Sequence, residues 1–242
     1  MTSTERRSTA IHESGHATVM WRLEHCDPVL KVTIIPRGRS LGATWYLPEE
    51  RVNHNVEHFH HKLAGLVAGR VAEQMLMGVT STGALNDLER TTKTAYAMVA
   101  YYGMSERVGN VSFYDVSGGD AFKKPFSEHT AVVIDEEVRR IVDEVVVMTR
   151  EIINAERENI ERIADILLEK ETIFSDDIEA VLGKSAQQIA KEETEALESA
   201  KTADVESADE SANDSATVTS ADGTDIKYVI EPTSEDKTDK GE

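Results

Sequence analysis

The residues best suited to chemistry lie close to the N-terminus. His12-Glu13-Ser14-Gly15-His16 puts two imidazoles four residues apart with a carboxylate beside the first. On a helix, positions i and i+4 share a face, so both rings can point at one ion. Glu13 is badly placed to ligate that same ion but can reach a water held on it. This is the physical content of H-E-x-x-H: two neutral imidazoles hold Zn²⁺, one position stays open for water, and the carboxylate takes the water's proton as it attacks a peptide carbonyl. Zinc lowers the pKa of such a water to about 7, which makes the nucleophile available at neutral pH. The expected chemistry is peptide-bond hydrolysis with one Zn²⁺ per chain, His12 and His16 as ligands and Glu13 as general base.

A zinc ion that keeps an open position needs a third protein ligand. No H-x-x-G-x-x-H follows the motif, so a third histidine at that spacing is missing. Glu73 in AGRVAEQ, Asp87 in STGALND and His129 are the candidates, and spacing does not choose between Glu73 and Asp87. A rival motif, His54-Asn55-Val56-Glu57-His58, matches the inverted pattern H-x-x-E-H and is followed by His60 and His61. Its simpler reading is a histidine-rich exposed turn, because His54, His58 and His61 lie off the apolar stripe. Gly183-Lys184-Ser185 resembles the end of a phosphate loop, but Ile178 stands where that loop needs glycine, so it reads as a helix cap. Cys26 reads as a small buried hydrophobe.

These residues need elements to position them. Thr4 to about Glu24 reads as a helix, with Thr2 and Glu5 spaced as a capping box and Asp27-Pro28 stopping it. Ile11, Val19, Met20 and Leu23 give it a core-facing side, and Gly15 leaves one side bare for substrate or another backbone. Leu30–Pro36 and Gly42–Leu47 read as short strands, a hairpin or a pair of edge strands about a turn at Arg37–Ser40. Asn53–Met77 is helical in pattern, with Phe59, Leu63, Val67 and Val71 on one stripe and Gly65, Ala68 and Ala72 on another. A helix over Asn86–Tyr102 follows, then an irregular segment with a strand at Val111–Tyr114. Ser127 caps a long helix to about Glu156, and shorter helices cover Asn159–Lys170 and Ser175–Leu182.

The fold class is mainly α: a helical domain over residues 1–184 with a small β-element, then an acidic low-complexity tail over 185–242. From Glu192 onward the chain holds 16 of its 45 acidic residues and 4 of its 26 basic ones. That composition buries too little apolar area to offset chain entropy, so the tail is expected to be mostly disordered. No basic footprint is present, which argues against nucleic acid as a partner. A single cysteine excludes an internal disulfide. No apolar run approaches the roughly 18 residues that span a bilayer, and the N-terminus lacks a signal core.

Taken together, STAIHESGHA, DPVLKVTIIPRGRSLGATWYLPEE, AGRVAEQMLMG, STGALNDLERTT, YGMSERVGNVSF and LLEKETIFSDDIEAVLG resemble the peptidase domain of the FtsH family of ATP-dependent zinc proteases, from about Thr4 to Gly183. The resemblance implies Asp87 as the third ligand and moves Glu73 behind the ligands, orienting a histidine. It also implies an edge strand, Lys31–Pro36 or Gly42–Leu47, on which an extended unfolded polypeptide adds. Further, it implies a homo-hexamer and an AAA ATPase module in cis or trans. Departures are mild: Ser14 for the family's usual alanine, Ala68-Gly69-Arg70 for Gly-Gly-Arg, and Leu85 for serine. No Walker A loop is present, so the chain is expected to be a fragment or a truncated product. It reads as soluble as written, on a cytoplasmic face, and anchored to an inner membrane where a preceding part carries transmembrane helices. A catalytically inert assembly module of the same family is the alternative.

Overall fold

The computed structural model describes residues 2–36, 42–47, 53–114, 125–197 and 199. Its first helix, α1 (Ser3–Arg22), is buried without interruption from Thr9 to Trp21, although that stretch includes two histidines, a glutamate and three hydroxyl residues. A helix with polar groups on a buried face needs a partner for each. Several partners are local: Thr9 Oγ1 donates to Glu5 O and Ser14 Oγ to Ala10 O. The N-terminus is closed by the expected capping box, Thr2 Oγ1 accepting from Glu5 N and Glu5 Oε2 from Thr2 N. At the other end, Gln187 donates its side-chain amide to the carbonyls of Met20, Leu23 and Cys26, satisfying acceptors that a helix leaves open. The helix stops at Arg22, two residues short of the sequence expectation.

The remaining elements wrap this central helix. After β1 (Val29–Thr33) and β2 (Ala43–Tyr46) comes α2 (Val56–Ala72), capped by Asn55 and continued by a π-helical turn over Glu73–Met77. A 3₁₀ turn (Thr82–Ala84) leads into α3 (Leu85–Ala100). Then follow α4 (Glu128–Ala155), capped by Ser127 as expected, α5 (Arg157–Lys170), β3 (Thr172–Phe174) and α6 (Ser175–Leu182). Residues 186–194 are helical and belong to the first compact unit, Met1–Thr194. The core is contributed by α1, α2, α4 and α5, with Ile11, Leu63, Ile141, Ile153, Ile163 and Leu167 fully enclosed. Of the second unit, Glu195–Glu242, residues 195–197 and 199 are described and helical. The expected turn at 37–40 and the tail beyond 199 lie outside the described residues.

Two features differ from the sequence reading. The sheet has three strands in the order β2-β1-β3, all antiparallel. β1 is therefore the central strand, which leaves β2 as the edge that the sequence could not separate from it. β3 is three residues long and joins from the far end of the domain, a pairing that no local pattern announces. At 111–114 no strand forms. Phe113 N instead donates to Ala100 O, and the Phe113 ring packs on Phe126.

Close packing of α1 on α2 rests on small residues. A Cβ at Gly15 would lie 2.6 Å from Ala72 Cβ and 2.9 Å from Ala68 O. The bare side of α1 thus serves another backbone, α2, and the Ala68–Ala72 stripe is the surface that meets it. Farther out, Glu137 on α4 is buried and bonded to Ser105 Oγ (2.8 Å) and Arg140 Nη2 (3.0 Å), fixing the loop after α3. Hydrogen bonds from Arg140 first, and from Ser105, hold its carboxyl below the usual range against the opposing effect of burial.

Gly15→Ala is expected to destabilise the domain by about 1–3 kcal/mol through overpacking, where alanine in an open helix would add about 1 kcal/mol. Denaturant midpoints of the two proteins measure this. Glu137→Gln is expected to cost about 1–3 kcal/mol at neutral pH. Because the native carboxyl is depressed, its contribution is fully present above the unfolded value and is lost as pH falls through the native one. The gap between variant and parent therefore narrows as pH drops below about 4.5, which denaturant titrations at stepped pH would show.

Candidate metal centre

His12 and His16 leave the same side of α1 where α2 crosses it, and the crossing is arranged around their rings. A Cβ on Gly69 would stand 2.5 Å from His12 Nε2 and 2.6 Å from His16 Nε2. Only glycine leaves room for both imidazoles there. The rings meet edge to face, with centroids 4.7 Å apart.

The outer ring nitrogens fix the tautomers. His16 Nδ1 lies 2.7 Å from Gly65 O, a carbonyl that can only accept, so the proton sits on Nδ1. His12 Nδ1 lies 2.9 Å from Glu73 Oε1, with the same consequence. With both rings neutral, the two Nε2 lone pairs face each other across 3.0 Å. Asp87 Oδ2 completes a triangle at 3.4 Å from His12 Nε2 and 3.5 Å from His16 Nε2. In that neutral form three acceptors converge with no donor between them. Nitrogen and oxygen ligands on a tetrahedral zinc stand about 3.3 Å apart, given zinc–ligand distances of about 2.0–2.2 Å. Donor types, tautomers and spacing all fit Zn²⁺.

The electrostatics say the same. Burial opposes a charge on His12, yet the contacts with Asp87 and Glu73 and the nearby Glu13 carboxylate outweigh it and raise its pKa to about 9. Burial alone would raise Asp87, but its bonds to His12 and His16 hold it well below the usual carboxylate range. The site is built to attract a cation.

Among the described residues, His12, His16 and Asp87 are the one group of three placed to share an ion. Glu73 is on the far side of His12. It occupies the first position of the π-helical turn, almost fully buried, and accepts from Ser81 N and Ser81 Oγ at 3.0 Å each. Ser81 also accepts from Gly83 N, capping the 3₁₀ turn that delivers Asp87 to the first turn of α3. Arg70 Nη1 donates to Ser81 O at 2.7 Å. One serine thus ties the residue behind His12 to the loop that carries Asp87. His129 is exposed on the first turn of α4, outside the group.

Glu13 is buried beside the triad, and Thr44 Oγ1 on β2 donates to its Oε2 at 2.8 Å. Burial, its largest influence, pushes the Glu13 carboxyl above the usual range, against the pull of His16, His12 and Thr44. These groups line a cleft of about 1050 Å³, bordered also by Tyr46, His58 and Arg90. His54 and His58 face the same cleft but form a stack: centroids are 4.1 Å apart, then 5.9 Å from His58 to His25 and 5.0 Å from His25 to His61. Sequence reasoning missed Ser81, Thr44, Gly69 and the Gly65 carbonyl. Gly69 carried a signal, since a glycine in mid-helix calls for a packing reason; a backbone carbonyl carries none.

Comparison with known proteins agrees with this geometry. Residues 1–181 match the sequence pattern of peptidase family M41. The chain is 44% identical over 241 residues to the ATP-dependent zinc metalloprotease FtsH of Parabacteroides distasonis, covering 99% of this chain and 34% of that protein. Identity is 51% over 184 residues to the protein of the same name in Rhodothermus marinus, covering 74% and 26%. The mitochondrial inner membrane m-AAA protease component AFG3L1 of Mus musculus is 44% identical over 180 residues, covering 74% and 23%. The chain thus spans about a third or less of these relatives' length.

Gly69→Ala is expected to displace both Nε2 atoms and weaken zinc binding by at least about tenfold, the scale seen when support for ligands is disturbed. Competition with a chelating dye, compared with the parent, gives the number.

Proposed function

The chain belongs to peptidase family M41, and from that membership we propose that it is a zinc-dependent endopeptidase acting on unfolded or membrane-extracted polypeptides. The observation that carries the reading is the convergence of His12 Nε2, His16 Nε2 and Asp87 Oδ2 beside the buried Glu13 carboxylate. Held by His12, His16 and Asp87, a zinc ion would supply Lewis acidity and bring a water toward hydroxide at neutral pH. Glu13 is the general base: it takes the proton of the attacking water as oxygen bonds to the peptide carbonyl carbon. It returns that proton to the amine nitrogen as the C–N bond breaks. Glu73 and the Gly65 carbonyl keep the ligand rings in the tautomer that leaves Nε2 bare.

Substrate recognition follows from the sheet. β2 is an outer strand, and an extended polypeptide adding to it is read through its backbone. Such binding accepts many sequences but requires an unfolded chain. Unfolding is the task of an AAA ATPase module, in cis in a longer protein or in trans, and a homo-hexamer is the assembly we propose for that context. Among the described residues no helix is long and apolar enough to cross a membrane. Attachment at the cytoplasmic face of an inner membrane would come from another part of a longer protein.

Glu13→Gln is expected to lower hydrolysis of a labelled unfolded polypeptide by about 10²-fold or more while zinc stays at one per chain by elemental analysis. Chelation should abolish the parent's activity and added zinc restore it. Undiminished cleavage by Glu13→Gln would refute the assignment.

A further inference from the structure

Glu13 is held from two sides by β2 and the residue leading into it. Thr44 Oγ1 donates to Oε2 at 2.8 Å, and Gly42 stands so close on the other side that a Cβ there would lie 2.8 Å from Oε1 and 2.9 Å from Cγ. A carboxylate's terminal torsion is broad and roughly two-fold, so a lone glutamate on α1 would present its oxygens in many directions. The hydrogen bond donated to Oε2, together with the close approach of Gly42 to Oε1, restricts the directions in which the carboxylate can turn.

Thr44 itself is not free to wander. Its strand pairs with β1 through Val32↔Thr44, and two residues on, on the same face of β2, Tyr46 Oη accepts from Arg90 Nη2 at 2.9 Å. Arg90 lies one helical turn beyond Asp87 on α3. The strand is thus registered against α1 through Glu13 and against α3 next to Asp87. The same strand is an outer one in the sheet order.

We propose that Thr44 is a positioning residue for Glu13, linking the strand on which substrate docks to the orientation of the general base. This rests on the peptidase reading above. Thr44 touches the base and not the reacting atoms, so its removal should slow the chemical step and spare substrate binding and zinc.

The test compares Thr44→Val, which keeps shape and strand propensity but removes the donor, with Thr44→Ser, which keeps the donor, both in the full zinc-loaded chain. Expected for Thr44→Val are parental zinc content and unfolding midpoint, kcat lower by about 10–100-fold, and KM within about twofold. Thr44→Ser should recover kcat to within about threefold of the parent. Parental kcat in Thr44→Val, an equal loss in both variants, or a raised KM with unchanged kcat would each overturn the role. If Thr44→Val fails to fold or loses zinc, Thr44→Ala against Thr44→Ser makes the same comparison, and equal rates overturn the role. An active parent indifferent to Thr44→Val sinks only this inference. A parent that hydrolyses nothing, or is matched by Glu13→Gln, sinks the peptidase reading instead.

Discussion

Two imidazole lone pairs 3.0 Å apart, with a carboxylate oxygen beside them, repel one another unless a proton or a metal cation lies between them. Isolated peptides relieve such crowding by rotating the rings. Here rotation is blocked, because each ring is pinned at Nδ1, by Glu73 for His12 and by Gly65 O for His16. Both pins belong to the α2 segment, so the donor triangle exists only while α2 lies hard against α1. Gly15, Ala68, Gly69 and Ala72 make that approach possible. The small-residue packing and the candidate metal site are one constraint seen from two sides.

The same constraint explains why a polar helix forms the centre of the domain. From Thr9 to Trp21, α1 does not satisfy the usual rule of an apolar stripe facing inward and a polar face outward; that stretch is enclosed on all sides. Most of its polar groups are tolerated because they acquire partners, some within the helix, as Thr9 and Ser14 do, and others from different elements: Glu13 from β2, His16 from α2, and the carbonyls near its C-terminus from Gln187. Tertiary contacts pin the site from several directions, which keeps the ligand geometry fixed against thermal motion better than a surface helix could.

How much of this was legible in the sequence follows from the range of each interaction. The capping box at Thr2 and Glu5, the Asn55–Ala72 stripes and the Ser127 cap are local and could be read directly. The histidine pair was legible because i,i+4 spacing is itself local. Asp87 was not separable from Glu73 by spacing, since the choice depends on which ring nitrogen each reaches, a matter of helix crossing; family resemblance was needed to choose. β3 escaped because its three residues owe their conformation to β1, more than a hundred positions earlier. The π-helical turn that starts at Glu73 escaped as well, because periodicity over five residues cannot distinguish it from ordinary helix.

The contrast with the second histidine motif shows what spacing leaves out. His54 and His58 have the same separation as His12 and His16, and they lie on the same cleft. Yet their rings stack within 28° of parallel, so their in-plane lone pairs run side by side instead of meeting at a point. Along the same stack, His61 Nδ1 accepts from the His25 backbone N–H, so its proton sits on Nε2, the atom that would have to bind. In the first motif a carbonyl and a carboxylate accept hydrogen bonds from Nδ1 and leave Nε2 bare; at His61, just past the second motif, a backbone donor does the reverse. A histidine becomes a ligand through the partner of its other nitrogen, and that partner is chosen by the fold.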